Sequence, residues 1–171
     1  MNKQTRSGVA FFCCMVLGMG LLSTGATAQE QTGKPQVLTL EMAEQFLAAA
    51  KAKAQKEGWT MSLAVVDVAG NPIALARMDG ARWMTAGVAE SKAFTAATFR
   101  RPSAAVEELA KTRPQLFSSV TSLVGRPLLL AGGGLPLIIG GELLGGVGAS
   151  GGTEEQDVEC ARAGLAAIGA E

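Results

Sequence analysis

Lys92 stands in a segment otherwise built of alanine, serine and threonine, with Ser91 before it and Thr95 three positions on. A lysine on such a helix either snorkels its ammonium to water or pairs with a carboxylate. Asp67, inside an apolar strand, is the candidate partner, although its position also suits it to end that strand and shape the turn after it. A second group is Arg77, Asp79 and Arg82, close to Trp83 and Met84. It reads as a solvated hairpin end or as a pocket rim whose guanidiniums pair with ligand carboxylates. The sequence has no His and no Tyr. Ser–His–Asp and His–Cys catalytic sets are thereby excluded, as are imidazole-ligated zinc and a proximal histidine on haem iron. Any catalysis must use Lys, Asp, Glu, Arg, Ser or Thr, or a bound cofactor.

Gly146-Val147-Gly148-Ala149-Ser150-Gly151 matches G-x-G-x-x-G between a strand and a helix. A dinucleotide site fails on context. Glu154, Glu155 and Asp157 crowd the helix start and would repel a phosphate, and no second strand of a βαβ unit follows. The motif reads as a strand-to-helix turn that needs small residues.

Residues 1–28 have the pattern of a secretory signal: Lys3 and Arg6, an apolar run from Val9 to Leu22, then Ala26-Thr27-Ala28 as a cleavage site. The expectation is an exported, periplasmic or secreted protein that is not membrane-bound after cleavage. Residues 29–37 form a flexible lead-in, and 38–171 a single domain. Removing the signal leaves 13 basic against 15 acidic residues, a balance that argues against nucleic acid as a partner. Cys160 is the one cysteine left, so no intrachain disulfide forms.

The elements that must position these residues follow from periodicity and punctuation. Thr39 caps a helix to about Glu57, with Leu40, Ala43, Phe46, Leu47, Ala50 and Ala54 on one face and Gly58 as its stop. Met61–Val68 and Ile73–Asp79 flank Ala69-Gly70-Asn71-Pro72 as a hairpin, its first strand apolar on both faces. Thr85 caps a helix Ala86–Phe99 whose small residues permit close packing on a sheet or a partner helix. Arg100-Arg101-Pro102 breaks the chain and Ser103 caps a short helix, Ala104–Lys111. Thr112–Arg126 reads as irregular, a flap or a surface loop. Leu128–Ala131, Leu135–Ile139 and Glu142–Gly148 read as three strands joined by glycine turns. Thr153 and Gln156 form a capping box for a final helix whose buried stripe is Val158, Ala161, Leu165 and Ile168, with Cys160 off it. The fold class is α+β, with a five-stranded antiparallel sheet flanked by helices.

Three separated segments, AVVDVAGNPIALARMDGA, ESKAFTAATF and AGGGLPLIIGGELLGGVGASGGTEEQD, resemble in order the GlcG/HbpS-like family of haem-binding or haem-degrading-type proteins. The resemblance spans about Leu38 to Gly169. It implies a profilin-like sandwich, a homo-oligomer (an octamer in many members) and haem as ligand, in iron handling or redox sensing. The positions that match the family's motifs are Arg77, Asp79, Ser91, Lys92, Thr95, Gly133 and Gly134. Without an imidazole, haem iron here would be ligated by Thr95 or Thr98, by Met84 or by Lys92, or would rest unligated in an apolar cleft, with Arg77 or Arg82 on the propionates. The alternative is an enzyme or binding protein for a small organic acid or carbonyl compound, with Lys92 as base or anchor and Asp67 or Asp79 as its partner. A third reading is a structural or sensor-partner protein with no ligand.

Overall fold

The computed structural model of the chain describes residues 37–170. The expected signal segment and nearly all of the lead-in lie outside these. Helix α1 (Leu40–Glu57) begins where Thr39 accepts the Met42 N–H on its side chain, and it ends at Gly58 in the left-handed region. Its buried face is Ala43, Phe46, Ala50 and Ala54, whereas Leu40 is exposed. The hairpin β1 (Ser62–Asp67) and β2 (Pro72–Arg77) follows, closed by Asp67: its carboxylate accepts the backbone N–H of Ala69 and Asn71 and the Asn71 side-chain amide.

Helix α2 (Thr85–Phe99) comes next, then a 3-10 turn at Ser103–Val106, the short helix α3 (Glu107–Thr112) and α4 (Pro114–Val124). Strands β3 (Gly134–Ile139) and β4 (Glu142–Ser150) form a second hairpin, and α5 (Glu154–Ala167) closes the domain with the expected capping box. The sheet is antiparallel throughout, with strand order β2-β1-β4-β3. Helix α2 covers one face, and α1 and α5 cover the other. Strand β1 serves both: Leu63 and Val65 pack towards α1 and α5, Ala64 and Val66 towards α2. That is why it is apolar on both sides.

The sheet has four strands, not five. Leu128–Ala131 forms no regular element and pairs with no strand. Side-chain hydroxyls satisfy its backbone instead: Thr95 accepts the Leu129 N–H at 2.9 Å, and Ser103 donates to the Ala131 carbonyl at 2.5 Å. Ser103 is therefore a buried clasp, not a helix cap, and it also accepts the Gly134 N–H. The stretch expected to be irregular contains α4, which starts with Pro114 at its first turn and ends at Gly125. Its Leu116, Phe117, Val120, Leu123 and Val124 recur at helical spacing, yet Leu116 and Leu123 stay exposed and no residue of the helix is buried.

Thr85 also differs from expectation. It lies inside α2, donating to the Arg82 carbonyl at 2.7 Å and accepting from Ser62 at 2.8 Å, so it ties the helix start to β1. Helix α2 lies directly on the backbone of β4. A Cβ on Gly146 would strike the Ala93 carbonyl, and one on Gly148 the Ala89 carbonyl. The G-x-G pair makes room for a helix, the close sheet packing that the small residues of α2 allow.

Candidate functional site

Lys92 is 3% exposed. Its ammonium meets Asp157 Oδ2 at 2.7 Å and donates to the Ala149 carbonyl at 3.3 Å. The other carboxylate oxygen of Asp157 accepts the Gly152 N–H at 3.1 Å. The partner of Lys92 is thus neither Asp67, which holds the hairpin turn, nor Asp79, which is exposed at the end of β2. In the sequence Asp157 is only one of three acidic residues crowding the start of the last helix; nothing local marks it as partner to a lysine 65 positions away. The pair joins α2 to the first turn of α5, with the end of β4 between them.

Gly133 and Gly134 close over this pair. Gly133 has φ +111°, and a Cβ there would lie 2.6 Å from the Ala149 carbonyl and 3.1 Å from the Lys92 ammonium. A Cβ on Gly134 would strike the Lys92 carbonyl. The structure therefore brings Lys92, Gly133 and Gly134 together, as a locked interior joint. Thr95, one turn further along α2, is fully buried; it donates to the Ser91 carbonyl at 2.7 Å and accepts from Leu129. Ser91 is half-buried beside it. Among the described residues no buried side-chain polar atom lacks a partner.

Arg77, Asp79 and Arg82 lie elsewhere and are exposed. Arg77 and Asp79 border a polar groove of about 440 Å³ with Lys51 and Gln55 of α1. Arg77 also stands opposite Ser62 in the sheet register, and Ser62 bonds Thr85 at the start of α2. That link puts the Arg82-Trp83-Met84 corner next to the Arg77 end of β2. Trp83 is 83% and Met84 50% exposed. A large apolar ring and a thioether open to solvent, next to Arg82 in the chain, form a surface that the interior of this subunit does not use.

Arg126 is a contact that the sequence did not point to. Its guanidinium donates to the Gly70 carbonyl at 2.6 Å, pairs with Glu90 at 2.5 Å and lies 4.5 Å from the Phe94 ring centroid. It ties the segment after α4 to the hairpin turn and to α2. Cys160 is fully buried in the α1–α5 core, a correction to its expected place off the stripe; burial, with Asp157 nearby, pushes its thiol up to about 11. No cluster of three or more His, Cys, Asp or Glu suited to a metal ion occurs among the described residues.

With this geometry in place, the comparisons with known proteins carry weight. The sequence profile of a family described as "Haem degrading protein HbpS-like" matches residues 38–166. The chain belongs to this HbpS-like family. Protein GlcG of Escherichia coli (strain K12) is 37% identical over 115 residues, 67% of this chain and 81% of GlcG. The corrinoid adenosyltransferase PduO of Salmonella typhimurium is 30% identical over 134 residues, 78% of this chain but only 40% of PduO. Two solved structures share the fold: the PduOC:heme complex (TM-score 0.70, 28% identity, 80% of this chain and 98% of that one) and HbpS (TM-score 0.69, 33% identity, 80% and 93%).

The residues fit haem in part. Trp83 offers a flat apolar face, Met84 a thioether, and Arg82 and Arg77 cations for propionates. The chain cannot supply imidazole or phenolate, and its one thiol in the described residues is buried. The hydroxyl of Thr95 is already engaged on both sides inside the subunit.

Proposed function

We propose that this protein is an exported, homo-oligomeric haem-binding member of the HbpS-like family, acting in haem or iron handling or in redox sensing. The observation that carries the reading is the solvent-open Trp83 and Met84 beside Arg82, at a corner that the Ser62–Thr85 hydrogen bond ties to the strand end opposite Arg77. An indole 83% exposed beside a half-exposed thioether is an apolar patch of the kind that marks a ligand or partner surface. Bound haem would supply one-electron redox chemistry. The chain's own part is to stack Trp83 on the macrocycle, pair the arginines with the propionates and offer the Met84 sulfur to iron. A thioether is a soft, neutral ligand, so modest affinity and high-spin ferric iron follow, in place of a tight bis-ligated state. The exposed leucines of α4 support assembly, since a second subunit would cover them.

Lys92 is read in this proposal as a structural ion pair, because its ammonium is buried and spends two of its three donors on the Asp157 carboxylate and the Ala149 carbonyl. The test is a haemin titration followed by Soret absorbance on the wild type, Met84→Leu, Trp83→Ala and Arg77→Gln/Arg82→Gln. The reading requires a fixed haem-to-subunit ratio in the wild type, a changed spectrum in Met84→Leu and weaker binding in the other two. Equal spectra and affinities in all four proteins would place haem elsewhere.

A further inference from the structure

A second, chemically different surface lies at the far edge of the sheet. Between the free edge of β3 and the C-terminal half of α5 runs a groove of about 440 Å³, within the size range of small-molecule sites. Its walls are Pro102, Leu135, Pro136, Ile138 and Leu165, and Arg162 is the one charged residue that borders it. We propose that this groove binds a medium-chain aliphatic monocarboxylate, its alkyl chain along β3 and its carboxylate on Arg162.

Three observations select that class. The walls are apolar, so the ligand body must be apolar too. Arg162, like several other basic residues, makes no ion pair among the described residues, and it is the one of them that borders this groove. A guanidinium beside an apolar trough matches one carboxylate, which it can hold in a two-pronged contact. The other side of Arg162 borders a hollow lined by Glu154, Glu155 and Glu159. Those carboxylates repel a dianion such as a phosphate ester more strongly than a single carboxylate.

A strand from another copy suits the groove less well. Pro136 lies within β3 and has no N–H, so an added strand would miss a donor in the middle of the edge.

Isothermal calorimetry with laurate, and with dodecanol as the uncharged control, tests the proposal on the purified protein. Saturable one-to-one binding of laurate is expected, with a negative heat-capacity change. Arg162→Gln, at an exposed position, should weaken laurate by about tenfold or more while leaving dodecanol unchanged. Trp83→Ala should bind laurate as the wild type does, which separates this site from the haem surface. The proposal is overturned if laurate gives no saturable heat, if Arg162→Gln binds it equally well, or if laurate and dodecanol bind alike. It is also overturned if Ile138→Glu lowers the oligomeric state seen by light scattering in a protein that never bound laurate, since a second copy would then be the occupant.

Discussion

Replacing Lys92 by Met removes one charge and keeps most of the side-chain volume. At 2.7 Å and an effective dielectric near 20, the attraction between Lys92 and Asp157 is about 6 kcal/mol. Desolvating the two ions costs several kcal/mol each, so the pair is close to neutral as a whole. Its loss is not neutral, because Lys92→Met leaves a 3%-exposed carboxylate whose only other hydrogen bond is the Gly152 N–H. The expected destabilisation is about 3–5 kcal/mol. For a domain of this size that lowers Tm by roughly 10–20 °C. Asp157→Asn strands the ammonium instead and should cost a similar amount. The double variant Lys92→Met/Asp157→Asn retains an acceptor for Gly152 and buries no charge. It should cost less than the two single changes added together, with a coupling of about 2–3 kcal/mol. Urea unfolding followed by circular dichroism measures all four proteins. A loss below about 1 kcal/mol in Lys92→Met, or single effects that add within about 0.5 kcal/mol, would refute the buried joint.

Cys160 should be inert to thiol reagents near neutral pH in the folded protein and react at once on unfolding, because the thiolate is the nucleophile and burial holds the thiol up to about 11. The folded state keeps this proton more tightly than the unfolded chain does. The contribution of Cys160 to stability is therefore complete below pH 9 and falls as pH rises from about 9 to about 11, a loss that Cys160→Ala should lack. Gly134→Ala drives a methyl into the Lys92 carbonyl and should cost about 2–4 kcal/mol, whereas Gly141→Ala meets no neighbour within 4 Å and should cost only about 1 kcal/mol, from its positive φ. Thermal melts of the two proteins give the comparison.

Local order was legible wherever a signal is complete within a few residues. Thr39, Gly58 and the Thr153–Gln156 box mark helix ends through contacts made within one turn, so α1 and the start of α5 are where the sequence places them. The hairpin around Gly70-Asn71 is read in the same way. Leu128–Ala131 looks like a strand because its apolar run and glycine border are those of one, and only the distant hydroxyls of Thr95 and Ser103 reveal that its backbone is satisfied otherwise. Helix α4 does carry an apolar stripe at helical spacing, Leu116, Phe117, Val120, Leu123 and Val124, but the interleaved Ser and Thr residues and Pro114 before them read as a loop, and none of the stripe is buried within the subunit. Of the two readings open for Lys92, snorkelling to water and pairing, the structure takes the pairing. Its partner, and the clamp of Arg126 on Gly70 and Glu90, are joined across long sequence separations that no spacing rule reaches. The grouping of Arg77 with Lys92 and Thr95 came from family motifs, and the structure separates the exposed arginine from the buried pair.

The central claim is that haem binds at the exposed Arg82-Trp83-Met84 corner. Its most direct test is a haemin titration of the purified protein, read by Soret absorbance together with light scattering after size exclusion and repeated with Met84→Leu. The account predicts saturation at a constant haem-to-subunit ratio, high-spin ferric iron, an oligomer larger than one chain and a spectrum that changes when Met84 is replaced. Haem that never saturates and is stripped off by albumin, or a spectrum indifferent to Met84, would contradict it.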